Sequence, residues 1–177
     1  MKRVYFLSLL SLFCVTNLMA QNRMEIGANF LPMGKEVITT NTSRLLYTVG
    51  VYGEYRWGIG RHFDAGARLD VQGGPMSLSD SYNADPWAIS TDILAVADFN
   101  LFPGKTVNPY IGIGVGPGLG MHNNTLDYLW AGSFLAMADA RLGLELFHHL
   151  RVAVDFKTPV LGSPRFTYLC LNVGWAF

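Results

Sequence analysis

The stretch Thr167-Tyr168-Leu169-Cys170-Leu171-Asn172-Val173-Gly174-Trp175-Ala176-Phe177 separates into two faces. Thr167, Leu169, Leu171, Val173, Trp175 and Phe177 fall on one; Tyr168, Cys170, Asn172, Gly174 and Ala176 fall on the other. A period of two marks a strand lying between two different environments. A strand of this kind at the end of a chain is expected to close a barrel against the first strand, so that no sheet edge is left open.

The same alternation recurs seven times upstream. Strand one is expected at about Arg23–Leu31, with Met24, Ile26, Ala28 and Phe30 on the apolar face. Strand two covers Arg44–Trp57, strand three Phe63–Gln72 and strand four Ile89–Leu101. Strand five is Tyr110–Gly116, strand six Phe134–Leu146 and strand seven Leu150–Lys157. In strand three, Phe63, Ala65, Ala67, Leu69 and Val71 oppose Asp64, Gly66, Arg68, Asp70 and Gln72. Strand six, rich in Ala and Leu, has helix-forming composition, but its strict alternation argues for a strand.

The connections alternate in length. Gly58–His62, Pro103–Pro109 and Phe147–His149 are short; Pro32–Ser43, Gly73–Ala88 and Pro117–Gly132 are long, and Thr158–Arg165 is intermediate. Short turns at one end and longer loops at the other are the pattern of transmembrane barrels, with the short turns and both termini on the periplasmic side. Aromatic residues gather at both ends. Trp57, Phe63, Phe102, Tyr110, Phe147, Trp175 and Phe177 mark the short end, and Tyr47, Trp87, Tyr128, Trp130 and Phe166 the long one. Rings favour lipid–water interfaces.

Composition agrees. Charged residues are 15% of the chain, and 13 basic residues balance 13 acidic ones, which gives no electrostatic footprint for nucleic acid. Met1–Ala20 has a basic start at Lys2-Arg3 and an apolar run, Val4–Val15, too short to span a bilayer. It is expected to be a cleaved signal peptide, with residues 21–177 forming one barrel domain. Cys170 is then the only cysteine, so no internal disulfide is expected.

Pro109-Tyr110-Ile111-Gly112-Ile113-Gly114-Val115-Gly116 and Val173-Gly174-Trp175-Ala176-Phe177 resemble motifs of the small Gram-negative outer-membrane β-barrels of OmpA/OmpX-like type, in their stand-alone barrel-domain form. The resemblance covers the whole of residues 21–177. It implies an all-β fold, an eight-stranded antiparallel up-and-down transmembrane barrel in the outer membrane. It also implies outer-membrane lipid around the barrel, and recognition of Phe177 by the barrel-assembly machinery. No peptidoglycan-binding module is expected after the last strand.

The polar face is expected to point inward. It carries Glu25, Arg44, Glu54, Arg56, Asp64, Arg68, Asp70, Asp92, Asp98, Asp139, Arg141, Glu145, Arg151, Asp155 and Lys157. Eight strands enclose a space that side chains can fill, so these groups are expected to form a structural ion-pair plug. Nine acids face six bases, so some acids need water, hydrogen bonds or a proton. A narrow gated pore or small-ligand conduit is the alternative. A soluble lipocalin-like barrel with inverted faces, or a lipid-modifying enzyme, are further rivals.

No metal or cofactor site is expected. His148-His149 lies in a tight turn without completing ligands, and His122 lies in a loop with no His-x-Ser pattern, so no enzymatic activity is expected. The glycines at 112, 114, 116, 118 and 120 do not form a phosphate loop, since no Lys-Ser/Thr pair follows them. They make room for bulky inward neighbours instead. Tyr82, Trp87, Tyr128 and Trp130 are the candidates for recognising an extracellular ligand. A monomer with a structural or adhesive role is the expected whole.

Overall fold

The computed structural model describes residues 22–39, 42–46, 48–77, 87–123, 130–161 and 165–177, all in strands or short turns. Nine strand segments follow in chain order: β1 (Asn22–Thr39), β2 (Thr42–Leu46), β3 (Val49–Gly58), β4 (Phe63–Ser77), β5 (Trp87–Asn100), β6 (Val107–Asn123), β7 (Trp130–Leu146), β8 (Leu150–Leu161) and β9 (Arg165–Ala176). Each pairs antiparallel with its neighbours, and β9 returns to β1 from Glu25↔Ala176 to Val37↔Arg165. The sheet is therefore a closed cylinder. β2 and β3 together form one stave, since both lie between β1 and β4. The barrel has eight staves and no free edge.

Two features differ from the sequence reading. The second stave, read as one strand over Arg44–Trp57, divides into β2 and β3. The β1–β9 ladder shifts register between Phe30 and Met33 at the same height, the kind of irregularity a bulge introduces. The staves also run further at the long-loop end. β1 continues to Thr39, β4 to Ser77, β6 to Asn123 and β8 to Leu161, where Pro32, Gly73, Pro117 and Thr158 had read as loop starts. Pairing continues through Pro75↔Trp87 and Pro117↔Ala136, although the β5–β6 ladder lapses at Gly116 and Pro117, between Asp92↔Gly118 and Ala95↔Val115.

The two faces are inverted relative to a water-soluble fold. Ile113 is 62% exposed and Phe134 80%, whereas Asp70 is 0% and Arg56 1%. Leaving one large apolar side chain in water forfeits about 1.5–3 kcal/mol, so a cylinder so clad is built for hydrocarbon. The interior is packed by bulk against absence of bulk. A Cβ on Gly143 would meet the Tyr110 hydroxyl at 2.6 Å, and one on Gly27 would meet that of Tyr52 at 2.6 Å. Those glycines admit the rings. Tyr110, expected in an aromatic belt, is 2% exposed and turned inward, because it shares the parity of Gly112 and Asn108.

Candidate functional site

The polar groups of the lumen meet along the staves that alternate inward at Glu54 and Arg56 on β3, Arg68 and Asp70 on β4, Asp98 on β5, Arg141 on β7, and Arg151, Asp155 and Lys157 on β8. At the centre is Glu54. It accepts from Arg141 Nη1 at 2.6 Å, and the guanidiniums of Arg56, Arg68 and Arg151 stand at 3.1, 3.8 and 3.8 Å. Glu25 accepts from Arg56 Nη2 at 2.6 Å, from Arg151 Nη1 at 3.1 Å and from the Tyr52 hydroxyl at 2.5 Å. Asp98 accepts from Arg151 Nη2 at 2.9 Å.

Higher in the lumen, Asp70 takes both Nε and Nη2 of Arg68, at 2.8 and 3.0 Å, and Asn29 Nδ2 at 3.1 Å. Lys157 Nζ lies 2.7 Å from Asp70 and 3.8 Å from Asp92. Asp155 lies 3.0 Å from Arg68 Nη1, and Asp139 lies 3.5 Å from Arg141 Nε. Two tyrosines complete the packing. Arg68 stacks 3.9 Å from the centroid of Tyr52, and Arg151 3.7 Å from that of Tyr110, a favourable placement of cation over ring in a desolvated space.

These contacts join eight carboxylates (Glu25, Glu54, Asp64, Asp70, Asp92, Asp98, Asp139 and Asp155) to five cations (Arg56, Arg68, Arg141, Arg151 and Lys157) in one web. Acids exceed bases by three. Both carboxylate oxygens of Asp139 lack a hydrogen-bond partner. Glu145 stands apart and is paired with Arg23 Nη1 at 2.8 Å. Arg23 escaped the sequence reading, although it shares the inward parity of Glu25. Arg44 lies on β2 with its side chain outside the described set.

An apolar patch of the lining is interleaved with the web, since Leu94 pairs with Arg68 and Cys170 with Asp155. Leu94, Val96, Leu135, Met137, Tyr168 and Cys170 form a buried cluster with Ala88. The Cys170 thiol is buried in that cluster. A small cavity lined by Thr48, Gln72, Ser90 and Tyr168 opens beside it.

Two histidines at the short-turn end, His62 and His149, have one shared use. His62 Nδ1–H donates to the Asn100 carbonyl at 2.8 Å, while Asn100 N–H donates to the His62 carbonyl at 2.7 Å. His149 repeats this with Ala176, at 2.9 and 2.7 Å. Each imidazole takes the place of the backbone N–H that would otherwise extend the ladder, and each stacks on an outer ring, Phe99 or Trp175. Among the described residues no group of three His, Cys, Asp or Glu could hold a metal. Of the loop candidates, Trp87 is half-exposed at the start of β5. Tyr82 and Tyr128, and the side chain of Trp130, lie outside the described residues.

A closed antiparallel cylinder with lipid-compatible walls and charges sealed inside is the architecture of a transmembrane β-barrel, and its eight staves give it the fold of the small outer-membrane ones. The chain is similar to Ail, the attachment invasion locus protein of Yersinia pestis, solved in complex with the heparin analogue sucrose octasulfate. Identity is 14%, over 89% of this chain and 99% of that one, with a TM-score of 0.58. It is similar to Neisserial surface protein A at 13% identity, over 88% and 97%, with a TM-score of 0.56. It is similar to the N-terminal β-barrel domain of Pseudomonas aeruginosa OprF at 14%, over 89% and 99%, with a TM-score of 0.51. No family model and no curated protein matches the chain.

Proposed function

We propose that this protein is a closed outer-membrane scaffold that acts through its long-loop end. The observation that carries the closure is the setting of Glu54. Four guanidiniums converge on one carboxylate, and every one of these side chains is at most 2% exposed. Groups locked this way leave no continuous water column at that height. The web fixes register too, because a slip of one residue would turn every inward charge toward lipid. Reconstituted in a planar bilayer, the protein is expected to be electrically silent. Discrete conductance steps that disappear on blocking the lumen would establish the pore reading instead.

Adhesion or structural support is the role left to such a scaffold. The Ail barrel bound to a heparin analogue supports sulfated glycan as the first ligand class to test. Barrels in nanodiscs, passed over immobilised heparin, should be retained and then released by free sulfated glycan. Absence of retention at low salt would remove that ligand class. Phe177, paired through its N–H with the Met24 carbonyl at 2.8 Å, is the proposed contact for the barrel-assembly machinery. The proposal includes no catalytic step.

A further inference from the structure

The rim of three short turns carries basic side chains and no acidic one, with the part-exposed Asp64 just inside it at the start of β4. Arg61 lies between β3 and β4, Lys105 between β5 and β6, and His148 between β7 and β8, and all three are exposed. No Asp or Glu occurs in residues 58–62, 101–107 or 147–149. Of the chain's 13 acids, nine point into the lumen; Glu36 lies on β1, and Asp80, Asp85 and Asp127 fall in the sequence between β4 and β5 or between β6 and β7, none of them in a short turn. Arg61 and Lys105 form no ion pair with a described residue, whereas Arg23 nearby is already held by Glu145.

The rim is also laced together. Asn100 bonds to His62, Phe147 N–H to the Thr106 carbonyl at 2.7 Å, Ala176 to His149, and Phe177 to Met24. Every short turn is thus tied to an adjacent stave, so the backbone that carries the cations is held in place. Phe102 (54% exposed), Phe147 (66%) and Trp175 (49%) project at the same level, the height at which rings meet lipid headgroups.

From the charge partition and this lacing, we infer that the rim is a docking collar for anionic phospholipid headgroups in the leaflet nearest the termini. Two cations on a tied backbone, beside a belt of rings, complement a phosphate layer better than a soluble partner. Electrostatic attraction to anionic lipid is strongest within a Debye length of the surface. The collar rests on the membrane-barrel reading above.

The test uses the full chain folded into phosphatidylcholine vesicles containing spin-labelled phosphatidylglycerol or spin-labelled phosphatidylcholine. The motionally restricted fraction should favour phosphatidylglycerol by up to about five-fold for each of the two basic residues near the membrane surface. Arg61→Gln with Lys105→Gln should bring that preference close to one, and Arg61→Glu with Lys105→Glu should reverse it. A heat-modifiable band on gels confirms that each variant has folded. A barrel that inserts but shows no preference, or keeps it in the double variant, overturns the collar alone. Failure of the wild type to enter vesicles at all overturns the membrane reading and the collar with it. Retention on peptidoglycan sacculi without lipid preference would assign the rim to the cell wall and overturn the headgroup collar.

Discussion

Glu54 and Arg141, 87 positions apart in the chain, meet across the lumen at 2.6 Å. The pair is the hub of the web, since Arg56, Arg68 and Arg151 all approach the same carboxylate. Removing one partner of a buried pair leaves the others uncompensated, which costs about 3–5 kcal/mol. Glu54→Ala is therefore expected to lower unfolding free energy by that amount, read by tryptophan fluorescence in urea with the barrel in vesicles. Asp64→Ala, at the rim with a 4.0 Å contact to Arg56, should cost about 1 kcal/mol or less. Equal losses at the two sites would mean that the hub does not exist.

Inward glycines give a second prediction. Tyr110 is confined by the Arg151 guanidinium on its face, so it cannot swing away from a new methyl group on Gly143. Gly143→Ala should destabilise the barrel by about 1–3 kcal/mol, as overpacking does, and Tyr110→Leu should recover part of the loss in the double variant. Gly53 faces outward, with nothing within 4 Å of its missing Cβ. Gly53→Ala should stay within about 0.5 kcal/mol of wild type. A Gly143 variant as stable as the Gly53 one would rule out the ring-over-glycine packing.

Much of this was legible from parity alone. Alternation along Phe63–Gln72 or Phe134–Leu146 assigns faces residue by residue, and the exposed and buried sets follow it. Arg23 needed only the same count extended one step back from Glu25. Tyr110 turns inward because its parity, and not its aromatic type, decides its face. The outer strand ends were illegible for a different reason. Gly73-Gly74-Pro75 and Pro117 carry local turn chemistry, but in a closed cylinder the neighbouring staves hold such residues in line. Which acid meets which base was also beyond the sequence, since Glu54 and Arg141 are brought together by the tilt of the staves around the cylinder.

The turn after β7 is strained. Phe147 and His148 have φ of 54° and 65°, and His149 N–H donates to the Leu146 carbonyl at 3.1 Å. Positive φ at both central positions is the geometry that favours Asn-Gly in hairpins. An L side chain there costs about 1–2 kcal/mol, partly offset on going to glycine by about 0.5–1 kcal/mol of lost backbone freedom. His148→Gly should therefore stabilise the barrel, by less than about 1 kcal/mol, with slower unfolding in the same urea assay. A clear loss of stability would show that the His148 side chain makes a contact worth more than its strain.

The last prediction concerns the outer wall. Ala138 sits midway along β7, paired with Val115 on one side and Thr158 on the other, and Val115 is 60% exposed. Asp139, the next residue, is buried in the lumen. One step along the strand thus separates lipid from the ion web. A basic side chain on the lipid face near the midplane costs about 2–4 kcal/mol, and near the interface about 0–1 kcal/mol. Ala138→Arg should accordingly reduce stability in vesicles by the larger amount, while Thr106→Arg, in the exposed turn between β5 and β6, should fall in the smaller range. The comparison separates a membrane barrel from a soluble one with the same strands. In water an arginine replacing Ala138 would be tolerated, so two variants of equal stability would place that face in solvent and leave the inward charges without their purpose.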